Sequence, residues 1–156
     1  MARSARPARP LAVVGVVAAS ALLLGACAPV TTELGYAPSD GTRVDFEDSS
    51  SRGLNLMVVS AEEGGSGRVL GALSNASGDD VEFVLSTEGA APVSVSVPAN
   101  DTVYLGTADG EEVVLDTVAT IPGGFLDATL TAGDLSSDFA LPVMDAANPE
   151  YASSAS

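Results

Sequence analysis

The chain has 156 residues, a formal net charge of −15, no histidine, no lysine and a single cysteine, Cys27, which cannot close an internal disulfide. With 21 acidic residues against six arginines it lacks the cations that release phosphate counterions, so nucleic acid is not expected as a partner. The absence of His and Lys removes the Ser-His, Cys-His and Ser-Lys pairs that activate nucleophiles, and no enzymatic activity is expected.

The first elements are not those of a folded domain. MARSARPARP carries Arg3, Arg6 and Arg9 and no acid, and Leu11 to Ala26 follows without a charge. A basic region, an apolar run and small residues before a break make an export signal. The run is shorter than the roughly 18 residues of a spanning helix, and Pro29 and Thr31-Thr32-Glu33 end it. Leu24-Gly25-Ala26-Cys27 resembles the lipobox of bacterial lipoproteins. The resemblance implies cleavage between Ala26 and Cys27 and a diacylglycerol on the Cys27 thiol. Two or more acyl chains, at about 0.8 kcal/mol per buried methylene, suffice for stable anchoring. The expected location is therefore the extracytoplasmic face of the cell membrane. An ordinary secretory signal with an incidental cysteine, or an uncleaved anchor, would share the composition; the position and flanks of Cys27 favour lipidation.

After this signal (1–26), residues 27–52 are poor in core residues, and GYAPSDGT and EDSSSR break any period, so they read as a lipidated tether with one candidate strand at 43–47. From 53 to 145 the pattern is short β-like runs between turn signals. Strands are expected at 54–60, apolar on both faces, and at 68–75, 81–86, 92–98, 102–106, 112–118, 125–131 and 138–143. In 92–98 the alternation is strict, with Val93, Val95 and Val97 on one face and Ser94 and Ser96 on the other. Residues 146–156 read as a frayed tail. About seven or eight short strands with frequent turns argue for an all-β, antiparallel β-sandwich.

Three segments carry a resemblance to a known family. LGALSNASGDDVEF is similar to a strand–turn–strand with an Asn-x-x-Gly turn, VPANDTVYLG to an Ile-Pro-Ala-Gly-x-Thr-Val segment, and ATLTAGDLSSDFALPV to a closing hairpin, all of the PCu(A)C-type periplasmic copper chaperones. The segments fall in the family's order over about residues 54–144. The resemblance implies an immunoglobulin/cupredoxin-like sandwich. The family binds Cu(I) through His and Met, but its His-x-Met stretch falls here at Glu112-Val113-Val114, and the excursion bearing its other ligands is reduced to STEGAAPVSV. The fold carries over and none of the metal ligands do.

Other chemistry is weighed on the residues. Met57 and Met144 offer thioethers, which suit Cu(I), but without imidazole they make a poor site. Asp45, Glu47 and Asp48, or Asp79, Asp80 and Glu82, could offer oxygens to calcium, yet neither group has EF-hand spacing. No carboxylate pair stands out as a glycosidase signature. Asn75-Ala76-Ser77 and Asn100-Asp101-Thr102 are formal sequons that read as turns. No metal ligand, catalytic residue or cofactor is assigned. The expectation is a lipid-anchored, non-catalytic binding or accessory module of the cell envelope, attached through Cys27 and facing an unidentified envelope protein or ligand. The alternative is copper handling with atypical ligands.

Overall fold

A computed structural model describes residues 39–47 and 50–151, and within them the fold is all-β, with no helix. Cys27, Ala26, the rest of the signal and Asp48 lie outside the described residues. The strands are β1 (Thr42–Asp45), β2 (Ser51–Ser60), β3 (Gly67–Asn75), β4 (Val81–Thr87), β5 (Val93–Val97), β6 (Asp101–Leu105), β7 (Val113–Leu115), β8 (Phe125–Ala132) and β9 (Leu135–Asp145). Every expected strand is present. The count is nine rather than seven or eight, because β1, inside the stretch assigned to the tether, pairs with β2: Val44 sits opposite Gly53, with its side chain in the core.

The strand order is β5-β4-β8-β9-β2-β3-β6, with β1 beside β2 and β7 beside β3. Strand β9 belongs to both layers. Its first part pairs antiparallel with β8, as far as Pro142 opposite Phe125. Its end then runs parallel to β2, with Val143 opposite Val58 and Asp145 opposite Ser60. This parallel pairing corrects the purely antiparallel expectation. Proline has no N–H to give the ladder, and the crossover falls at Pro142. Beyond it, Val143 exchanges backbone hydrogen bonds with Gly123 and Gly124.

Alternation decides what is buried. Phe83 and Leu85 on β4, Val95 and Val97 on β5, and Leu126 and Leu130 on β8 meet Leu56 and Val58 on β2, Val69 and Leu73 on β3, and Leu115 on β7 in one core. Phe46, just after β1, packs its ring against Phe83 with centroids 6.4 Å apart. Inside that core lies a void of about 10 Å³ lined by apolar side chains such as Leu56, Phe83 and Leu130. That is too small and too apolar to hold even an ordered water. That void offers no room for a ligand.

Strand β2 carries a bulge that sets which of its residues are inside. Leu54 sits opposite Ala72 and Met57 opposite Leu70, so Asn55 and Leu56 together face the single residue Gly71. Asn55 adopts φ 52°, a left-handed conformation that asparagine tolerates. Gly71 answers with φ 132°, and a Cβ there would lie 2.7 Å from the Asn55 carbonyl oxygen. The inserted residue restores the inward phase: Gly53 before it and Leu56 and Val58 after it all face the core. Leu54, Met57 and Val59 are thereby left on the outer face. This is why the run LNLMVVS is apolar on both sides.

Candidate functional site

The outer face of the β2–β3–β6 sheet carries a groove. Cross-strand register lays down its floor in rows: Leu54, Ala72 and Tyr104 side by side, then Met57 beside Leu70. The groove encloses about 680 Å³, with Asp40, Glu150 and Tyr151 on its other side. Met57 is only 5% exposed, whereas Tyr104 is 59% exposed and presents its ring to solvent. The place of Met57 in this floor is a second consequence of the β2 bulge.

The same bulge positions one wall. The Asn55 Oδ1 accepts the Gly41 N–H at 2.8 Å, and the Thr42 hydroxyl donates to the Ala140 carbonyl at 2.8 Å. These two bonds hold Ser39 and Asp40 at the groove. The adjoining wall is a turn after β9. Asp145 accepts the Ala147 N–H at 2.7 Å, Asn148 accepts the Glu150 N–H at 3.2 Å, and the Tyr151 N–H closes on the Asn148 carbonyl at 2.9 Å. Asn148-Pro149-Glu150-Tyr151 has the asparagine and proline that favour the first two positions of a tight turn. Residues 146–151, part of the stretch expected to be a frayed tail, are thus held against the sheet. The walls meet where the Tyr151 hydroxyl donates to the Asp40 carboxylate.

That hydrogen bond, followed by partial burial and the charges of Asp40 and Glu150, pushes the Tyr151 hydroxyl up to about 12. A tyrosine raised above its unfolded value of about 10 stabilises the fold below that value, and the contribution is lost as pH rises through about 12. A spectrophotometric titration should therefore show one phenol ionising near 12 that Tyr151→Phe removes. Asp40→Asn should bring that ionisation back toward about 10. A Tyr151 transition unmoved by Asp40→Asn would show that the two walls do not join.

The residues singled out from the sequence are dispersed. Met57 lines the groove and Met144 lies on the same outer face of the neighbouring strand, where it sits opposite Val59. Asp45 is taken up by Arg43, with Nε–Oδ2 at 2.6 Å, and that guanidinium holds its carboxyl below the usual range. The Asp80 Oδ1 accepts the Ala99 N–H at 3.0 Å. Glu112, where the resemblance to the copper chaperones would set their histidine, pairs with Arg68 at 2.9 Å, while Val113 points into the core. Among the described residues no group of three or more His, Cys, Asp or Glu side chains could hold a metal ion. Asn75, the first sequon asparagine, is 1% exposed, and Asn100 takes φ 56° in its turn. Sequence reasoning missed Tyr104, Asp40 and Tyr151. The only available signal was the turn chemistry of NPEY, and nothing local tells that the turn folds back over β2 and β3.

No protein-family model matches the chain, and no curated protein is similar to it at a significant level.

Proposed function

We propose that this protein is a lipid-anchored, extracytoplasmic β-sandwich that works as a non-catalytic binding module of the cell envelope. The observation that carries the reading is the groove. The interior is closed, yet Leu54, Met57, Leu70 and Ala72 form an apolar floor on an outer face, under walls contributed by the two ends of the domain. A floor of this kind with a few polar groups at its rim is the ordinary form of a small-ligand site. The lipobox-like Leu24-Gly25-Ala26-Cys27 supports the anchoring half of the proposal. The likeness of three segments to the PCu(A)C-type chaperones supports descent from a copper-handling ancestor. Copper handling itself would have to use Met57 and Met144, and two neutral thioethers without a third soft ligand hold Cu(I) weakly.

The binding half is tested with an uncharged environment-sensitive dye such as Nile red. Its fluorescence should rise on the wild-type protein and fall several-fold on Leu54→Glu. Leu54 faces outward, so the charge enters the groove and not the core. A Ser96→Glu control on the exposed outer side of β5 should change nothing. Dye binding that ignores Leu54→Glu would remove the groove from the proposal.

A further inference from the structure

The groove's charge identifies a ligand class, an inference that rests on the binding-module reading above. Its floor is hydrocarbon and thioether, and Tyr104 adds an exposed aromatic face. Its charged members among the described residues are two carboxylates, Asp40 and Glu150, both on exposed residues, and no described arginine lines it. Of the described arginines, Arg43 pairs with Asp45 and Arg68 with Glu112, and Arg52 sits opposite Asp45 on the neighbouring strand. An apolar floor beside two carboxylates and a π face is complementary to a positive charge carried on a hydrocarbon body.

We propose that the groove binds a small organic cation with an apolar body, a quaternary or protonated amine attached to a ring or alkyl chain. The body covers Leu54, Met57, Leu70 and Ala72, and the cationic head lies against the Tyr104 ring, within the field of Asp40 and Glu150. The volume of about 680 Å³ fits a ligand of that size, and the Asp40–Tyr151 hydrogen bond bounds the groove on one side. An anion of the same shape would meet like charge at the rim. A neutral molecule would gain from the floor alone. The chain's net charge of −15 also raises the local concentration of any cation, a contribution that is not specific to the groove and that the test must separate.

Three probes with a common phenylalkyl body make the test: phenylpropyltrimethylammonium, phenylpropanol and phenylbutyrate, titrated into the protein and followed by NMR shifts of Leu54, Met57 and Leu70. The cation should bind about tenfold more tightly than the alcohol, and the carboxylate more weakly than both. Tyr104→Leu, which keeps an apolar wall and removes the ring, should weaken the cation by about three- to tenfold and leave the alcohol unchanged. Asp40→Asn with Glu150→Gln should reduce the cation to near the alcohol's affinity. Both residues are exposed, so the variant is expected to fold. Equal affinity for all three probes would overturn the cation proposal and leave the groove as a binding site. A cation preference that survives the double variant would also overturn it, by assigning the preference to overall charge. No shift at groove residues with any probe would overturn both readings.

Discussion

Asn75→Ala is expected to lower the unfolding free energy by about 2–4 kcal/mol, a loss of roughly 10 °C or more in Tm for a domain of this size. Asn75 is the one buried amide side chain of the described residues, 1% exposed at the end of β3. Its Nδ2 donates to the Asp79 carbonyl at 2.8 Å and to the Val97 and Pro98 carbonyls at 3.1 Å each. Its Oδ1 accepts the Ser77 N–H at 2.9 Å and the Ser77 hydroxyl at 2.6 Å. One side chain thus ties the β3–β4 turn to the end of β5, where the Asn100 N–H also reaches the Ser77 carbonyl at 3.0 Å. Truncation strands several backbone groups that water cannot easily reach, and a buried polar group left unpaired costs more than an average hydrogen bond contributes. Asn75→Asp should be worse near neutral pH, because it removes the donors and sets a carboxylate among carbonyl oxygens. Its pKa is then raised on folding, so the variant should regain stability as pH falls and its carboxyl is protonated. Denaturant unfolding across pH checks both; an Asn75→Ala midpoint equal to wild type would show that the network carries no stability.

This network also explains which parts of the sequence were easy to read. The segments LGALSNASGDD and VPAND, which carry the resemblance to the copper chaperones, are the two that Asn75 joins. Their sequence is constrained by turn geometry and amide satisfaction, a structural demand independent of any metal. Strands β4, β5 and β8 were legible because each has one solvated face, as in Val93-Ser94-Val95-Ser96-Val97, where the inner and outer sides differ in polarity. The bulge at Asn55 was not legible. Within LNLMVVS both faces are apolar, so no change of phase is visible, and the partner that permits the bulge, Gly71, is remote in sequence. The transfer of β9 from β8 to β2 was hidden for a related reason. Pro142 marks where pairing must change, but a proline does not say which strand lies on the other side.

The groove was less legible than the fold because it is assembled from phase and from chain ends. Met57 stands on an outer face only because the bulge shifts the alternation of β2, and without that shift it reads as one more core residue. Asp40 and Tyr151 are far apart in the chain and meet through β1, β2 and the turn after β9. Each of the bonds that hold them, Gly41 to Asn55, Thr42 to Ala140 and the turn at Asn148, looks incidental until the register of β2 is known.

If Cys27 carries the proposed lipid, Cys27→Ala is expected to abolish acylation and change how the protein partitions with membranes. The three readings of the N-terminus predict three different results. If Cys27 carries the lipid, wild type incorporates labelled fatty acid and partitions with membranes, and Cys27→Ala loses the label and accumulates as unprocessed precursor or as released chain. If the signal is an ordinary secretory one, neither form is labelled and both are released. If the apolar run Leu11–Ala26 stays as an anchor, neither is labelled and both remain membrane-bound at precursor size. Once the signal is removed, the effect of losing the lipid should be nearly complete, because the described residues offer no substitute. One acyl chain alone binds membranes only marginally and needs a second chain or a polybasic patch, and a protein with no lipid lacks even the first. Beyond residue 27 there are three arginines, Arg43, Arg52 and Arg68, against all 21 acids, so an anionic bilayer repels the domain rather than recruiting it. Among the described residues no helix is long and apolar enough to cross a membrane. Fatty-acid labelling of Cys27→Ala at the wild-type level would overturn the lipoprotein assignment.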